Sequence, residues 1–385
     1  MQLPDLQLSL RQGMIEFGWG HPDPALLPAE GLARAAAHAL SAHGADPLGY
    51  GAEQGPGRLV VQIQARLARA GGAPPPAERL MITGGASQAL DMVCAQLSRP
   101  GDVALVEAPS YHLAQRIFRD RGLRLVGVPA DAQGLHVDAA DALLATLRER
   151  GERVAFLYTV ATFNNPSGTT LSAERRGGLA ALAGRTGLPV VEDEAYGELW
   201  YDVPPPPPVA SFAPDAPVVR LGSFAKCLAP GLRLGWMQAD ADLVARCVGS
   251  GVLDSGGGLN HFTAHVVAAF AELGLLDPHI EGLRSAFAAR RDTLLAALAR
   301  HLPADCTWNP ALGGFFVWVR LPAPLDAAAL LPAAEAAGVS YLPGARFFPD
   351  GGGASFLRLS FSLLPPDQLD EGARRLGRVV RAALR

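Results

Sequence analysis

The sequence predicts an α/β protein with a mainly parallel sheet sandwiched by helices in a large domain, followed by a smaller α+β domain. Two patterns carry that expectation. Between residues 79 and 238, seven short apolar runs alternate with longer helical stretches, which is how parallel strands joined by helical crossovers read. Beyond about residue 300 the texture changes to a few short strands mixed with helices. A length of 385 residues also exceeds what a single core usually supports.

The elements follow in order. A loop from Gly18 to Pro28, punctuated by Pro22, Pro24 and Pro28, precedes an alanine-rich helix from about Leu32 to Ala42. Strands are expected at Arg79–Thr83, Asp102–Glu107, Arg124–Val128, Val154–Val160, Pro189–Glu192, Val218–Gly222 and Leu234–Gln238. Helices are expected near 56–70, 86–98, 110–121, 139–150, 172–186 and 240–250, and a long helical stretch covers about 260–300. Strand-like Gly314–Arg320, a helix near 326–338, strand-like Phe356–Phe361 and a helix over 365–384 complete the chain. The run Pro204–Pro208 reads as a stiff, extended surface connection.

Composition narrows the function. A formal net charge of −4 without a basic block argues against nucleic acid as partner. Cys94, Cys227, Cys247 and Cys306 have neither metal-ligand nor disulfide-scaffold spacing, which fits reduced thiols in a cytoplasm. Met1–Asp5 lacks the basic and apolar regions of a leader, and no stretch of about 18 apolar residues suggests a membrane span. Of the 33 basic residues only Lys226 is a lysine. Drift from Lys to Arg on a solvated surface explains the scarcity. It does not explain the survivor, whose amine can lose a proton and form an imine where a guanidinium cannot.

Four segments fall at or after strand C-terminal ends, where open α/β sheets bind ligands. Thr83-Gly84-Gly85-Ala86-Ser87-Gln88 stands between a strand and a helix, so its backbone N–H groups could meet an anion; alone it is a common turn. Phe163-Asn164-Asn165-Pro166-Ser167-Gly168 also reads as an ordinary turn. In Val191-Glu192-Asp193-Glu194-Ala195-Tyr196 an apolar strand runs into acids that could serve a metal, act as a base or pair with a cationic ring nitrogen, and no nearby histidine favours a metal. The segment Leu221–Trp236 holds Lys226, with Ser223 before it and Arg233 after.

Taken in order, these motifs make the chain resemble the class I/II aminotransferases, fold-type I enzymes dependent on pyridoxal 5′-phosphate (PLP). It is most similar to the group holding 2-aminoadipate aminotransferases and the aminotransferase-like halves of transcription regulators. The likeness runs from Ile15-Glu16-Phe17-Gly18-Trp19-Gly20 to Phe356-Leu357-Arg358-Leu359-Ser360. It implies that Lys226 forms the internal aldimine and shuttles the substrate proton, and that Asp193 pairs with the pyridine nitrogen. Asn165 and Tyr196 would bond the phenolic oxygen, and Tyr111 would stack on the ring. Gly85, Ala86, Ser87, Ser223 and Arg233 would hold the phosphate, joined by Tyr50 from a neighbouring subunit of a homodimer with shared active sites. Arg358 would clamp the substrate carboxylate, with Asn165 and Gly20 nearby and Trp19 bordering the side chain. The implied domains are 46–280, large and PLP-binding, and 1–45 with 281–385, small.

The implied reaction moves an amino group between an L-amino acid and a 2-oxo acid. The same anchors also serve decarboxylases, lyases and oxidases of this fold, and a non-catalytic regulator domain is a further alternative. Departures from the family pattern bear on the substrate. Ala225 replaces a serine, Thr159–Phe163 lacks a proline, and Asn164 stands where glutamine is common. The segment 2–8 has no basic residue before Arg11, which argues against a dicarboxylate. Trp19 and the glycine-rich Asp254–Asn260 lean towards a bulky or aromatic substrate. His21, His112 and His261 read as pocket lining or packing rather than as catalytic groups, because lysine supplies the acid–base function.

Overall fold

The computed structural model describes residues 7–71 and 73–385. Most of segment 2–8 therefore lies outside the described residues. The main sheet has eight strands: β2 (Leu80–Thr83), β3 (Val103–Ala108), β4 (Arg124–Asp131), β5 (Gly134–Leu135), β6 (Val154–Thr159), β7 (Val190–Asp193), β8 (Val218–Ser223) and β9 (Gly235–Gln238), with β1 (Ile15–Glu16) outside it. Their order is β2-β9-β8-β7-β6-β3-β4-β5. Neighbours from β4 through β8 pair in parallel. Only β5 and β9 run against their neighbours. The apolar runs that predicted parallel strands are buried on both faces, as in β3 and β6.

Helices α1 (Ala29–His43), α2 (Gly57–Gly71), α3 (Ala86–Leu97), α4 (His112–Asp120), α5 (Val137–Glu149), α6 (Ala173–Thr186) and α7 (Ala241–Val248) fall close to expectation. Local chemistry explains their ends. Ser172 and Asp240 cap α6 and α7 by accepting from Arg175 N and Leu243 N, and Gly187, left-handed at φ 69°, ends α6. A short α8 (Gly251–Gly256) follows. The long stretch expected over 260–300 is two helices, α9 (His261–Glu272) and α10 (Leu276–His301). The break falls at Gly274, whose φ of 69° an L side chain adopts only with strain.

The C-terminal part is an antiparallel sheet of β10 (Thr307–Trp308), β11 (Phe316–Arg320), β13 (Leu342–Pro343) and β14 (Phe356–Ser360), in the order β10-β11-β14-β13. Helices α11 (Ala327–Ala336) and α12 (Pro366–Ala383) accompany it. The N-terminal β1 pairs with β12 (Val339–Ser340), so the segment before α1 joins this part of the molecule. Helix α1 does not follow it there: Ala35 and Ala39 share a core with Val267 and Phe270 of α9.

Candidate active site

The lone lysine sits on a loop whose base the sheet closes. Ser223, the last residue of β8, pairs with Gly235, the first of β9, and Phe224 N donates to Leu234 O at 3.0 Å. Lys226 is partly buried, and its Nζ donates to Gly20 O at 2.9 Å. Burial, then the positive charges of Arg358 and Arg233, push its pKa down to about 8. A neutral amine is thus accessible near physiological pH.

Asp193 ends β7 and is 4% exposed. Its oxygens accept from Tyr158 Oη at 2.9 Å and Ala195 N at 3.1 Å, both neutral donors. Burial raises its pKa to about 6, against the pull of those bonds. Tyr196 lies buried on the following turn with its ring edge-on to Phe315 and Phe316, and burial raises its phenol pKa. Tyr111 precedes α4, and burial followed by the charge of Asp193 raises its pKa as well.

Arg358 stands in the middle of β14, 3% exposed. Its Nη1 donates to Asn165 Oδ1 at 2.8 Å and its Nη2 to Gly18 O at 2.6 Å. The guanidinium lies against two rings, its Cζ 4.1 Å from the centroid of Phe316 and 5.2 Å from that of Phe347. Burial lowers its pKa to about 10, so it remains a cation at neutral pH. Among the described residues its buried Nε has no partner, a spare donor for an anion.

The turn Thr83–Gln88 leads from β2 into α3. Gly85 caps α3 at φ 89° with no side-chain cap, which leaves the first turn at Ala86 and Ser87 open to an outside acceptor. A Cβ on Gly85 would stand 3.2 Å from Arg233 Nη2, which places that guanidinium beside the turn. Ser223 Oγ accepts from Ala225 N at 3.1 Å.

Trp19 is partly buried and packs edge-on to His21, ring centroids 5.3 Å apart. Tyr50 is 92% exposed, directed to solvent. His112 is held neutral, its pKa pushed down to about 4 by burial, Arg358 and Arg346. His261 packs on Gly51 and its Nε2 meets Asp46 O at 3.1 Å. A cavity of about 680 Å³ lies elsewhere: Ser223 and Cys227 contribute to it, whereas Lys226, Asp193 and Arg358 do not.

Sequence reasoning missed Tyr158, Phe316 and Phe347, which hold Asp193 and flank Arg358. Tyr158 could have been singled out: a phenol inside a doubly covered strand requires a hydrogen-bond partner.

These residues fit pyridoxal phosphate. A buried carboxylate bonded only by neutral donors suits a ring N–H, an open helix start beside Arg233 suits a phosphate, and an amine of lowered pKa suits an aldehyde.

The family Aminotransferase class I and II matches residues 13–376. Aromatic-amino-acid aminotransferase 1 of Thermococcus litoralis is 32% identical, over 99% of this chain and 91% of its own length. The 2-aminoadipate transaminase of Thermus thermophilus is 35% identical, over 98% and 93%. Among solved structures, a kynurenine aminotransferase of Pyrococcus horikoshii in complex with PMP superposes with a TM-score of 0.90 at 31% identity, covering 97% of this chain and 92% of the other. A family match over nearly all of the length, with relatives a third identical from end to end, means that the chain belongs to the class I and II aminotransferases.

Proposed function

We propose that this PLP-dependent aminotransferase takes a bulky or aromatic L-amino acid as donor, with Lys226, Asp193 and Arg358 at the centre of its site. The observation that carries the reading is that Arg358 and Lys226 are bonded to carbonyls of one short segment, at Gly18 and Gly20. An α-amino acid brings its carboxylate and Cα into that space together.

Bound pyridoxal phosphate supplies the electron sink that stabilises the carbanion formed when Cα loses its proton. Arg358 binds the α-carboxylate, with Asn165 fixing the guanidinium. Lys226 Nζ, neutral above about pH 8, would take the proton from the donor Cα and, in the second half-reaction, deliver one to the Cα of the amino acid formed. Asp193, held by Tyr158, would keep a proton on the ring nitrogen. Tyr196 and Asn165 would bond the phenolic oxygen, and Tyr111 would cover the ring face. Gly85, Ala86, Ser87, Ser223 and Arg233 would bind the phosphate.

The side-chain preference rests on Trp19, Phe316, Phe347 and a neutral His112 around these groups. Arg11, the first basic residue, is tied to Glu16 at 2.6 Å and Glu335 at 2.9 Å. A homodimer with shared sites is supported by exposed Leu48, Tyr50, Val252 and Phe262, on or beside two segments packed together through Gly51, Gly257 and His261. Tyr50 would then reach the neighbouring subunit's phosphate. The proposed large unit is 46–280 together with α1, which packs on α9, and the segment before α1 joins 281–385 in the small one. No described helix is long and apolar enough to cross a membrane, which is compatible with the cytoplasmic location we propose.

A panel of amino acids with 2-oxoglutarate tests the reading, following glutamate, the new 2-oxo acid and oxygen uptake. Phenylalanine, tryptophan and leucine are expected to exceed aspartate in kcat/KM. A preference for aspartate would overturn the substrate class, and oxygen uptake without glutamate would overturn the transfer.

A further inference from the structure

We infer that Gln115 is a positioning residue for the reaction: it ties the ring that covers Arg358 to the loop that carries Tyr111. The inference rests on the proposed role of Arg358 as the carboxylate clamp. Gln115 lies on α4, is 1% exposed and belongs to none of the motifs that marked the site. Its Nε2 donates to Phe347 O at 2.9 Å and to Ser110 O at 3.3 Å, while its main-chain N donates to Tyr111 O at 3.2 Å. Ser110 N also donates to Phe347 O, at 2.9 Å. One side chain therefore fastens the turn Gly344–Phe347, beside the four-stranded sheet, to the segment leaving β3 of the eight-stranded sheet.

The consequence falls on Arg358. A planar cation in contact with two rings takes its tilt from both, and that tilt aims the donors that meet a carboxylate. Phe316 is fixed within β11. Phe347 lies outside any strand, so its place depends on its turn, its packing against His112 and Trp318, and the bonds to its carbonyl. Without the Gln115 amide, Ser110 O loses that donor and the carbonyl of Phe347 keeps one of two. The ring is then free to shift, and substrate binding weakens while the proton transfer at Lys226 stays intact.

The test compares holoenzymes of the wild type, Gln115→Met and Gln115→Glu with L-phenylalanine and 2-oxoglutarate. The KM for both substrates is expected to rise about tenfold, with kcat and the dissociation constant for pyridoxal phosphate held within about twofold. The dissociation constant is read from visible absorbance, independently of turnover. A folded variant with unchanged KM, even one with a lowered melting temperature, overturns the inference, as does a loss confined to kcat. If neither variant folds, Phe347→Leu, which keeps the carbonyl and Gln115, must show the same split, and an unchanged KM there overturns it. Arg358→Gln separates the two readings. If it leaves KM unchanged the clamp assignment fails, whereas a raised KM in Arg358→Gln beside unchanged Gln115 variants removes only the coupling.

Discussion

Arg358 donates to Asn165 at 2.8 Å, and that bond joins a central strand of the four-stranded sheet to the loop leaving β6 of the eight-stranded sheet. Asn165 thus orients a buried guanidinium that has a main-chain carbonyl as its other acceptor. The site is built across two sheets.

The lone lysine makes its own titration readable. Reductive ¹³C-methylation of the apoprotein labels Lys226 and the N-terminal amine only, and the lysine resonance is expected to titrate with a midpoint near 8. Below that pH both folded and unfolded chains hold the proton, so the cost of burying the charge is present in full. Between about 8 and the ordinary lysine value near 10.5 only the unfolded chain holds it, so apoprotein stability gains as pH rises. Denaturant midpoints of wild type and Lys226→Met at pH 7 and 9 should differ by that slope. A resonance midpoint above 10 would remove the prediction.

Tyr158→Phe deletes a bond that lowers the pKa of Asp193. The carboxyl should then titrate above its present value of about 6. On the proposed pairing of Asp193 with the ring nitrogen, cofactor affinity is expected to fall as pH drops through that midpoint, and the midpoint should move up in the variant. Equilibrium titrations of the apoprotein between pH 5 and 8 check this, and superimposable curves would count against it.

Gly85→Ala places a Cβ 3.2 Å from Arg233 Nη2 at a backbone φ of 89°. The strain costs about 1–3 kcal/mol and falls on the anion-binding turn. The expected outcome is weaker binding of pyridoxal phosphate by about tenfold or more, with KM for the amino acid little changed once the protein is saturated.

Arg176→Met removes one of two cations, the other being Arg220, that oppose the burial raising the Glu192 carboxyl pKa to about 7. Arg176 and Glu192 are both almost wholly covered, and Glu192 retains Val209 N as a donor. A loss of about 3–5 kcal/mol in unfolding free energy is expected at pH 7. The double variant Arg176→Met with Glu192→Gln should recover part of it.

Much of the fold was legible because parallel strands covered on both faces are short apolar runs, and those runs ended where the chemistry began. Asp193, Asn165 and Lys226 follow such runs, so position and residue type agreed. The pairing of Ile15 with Val339 was not legible, since a strand of two residues carries no periodicity. Nor was the break at Gly274, because one glycine in an alanine-rich stretch does not by itself stop a helix. Phe347 and Gln115 were missed for another reason. The first acts through a ring face and a carbonyl, the second through bonds to carbonyls, and neither use leaves a signature in residue order.

The two carbonyls of Gly18 and Gly20 that hold Arg358 and Lys226 belong to the main chain, so no side-chain replacement in that segment deletes them. A library randomising Trp19 and His21 would vary the wall of the proposed substrate pocket while keeping the carbonyls that hold Arg358 and Lys226. Gly20 itself is the exception: a Cβ there would press to 2.8 Å from the Phe316 ring, whereas one at Gly18 would meet nothing nearer than 3.7 Å. Selectivity can therefore be retuned at neighbouring positions without rebuilding the reactive centre.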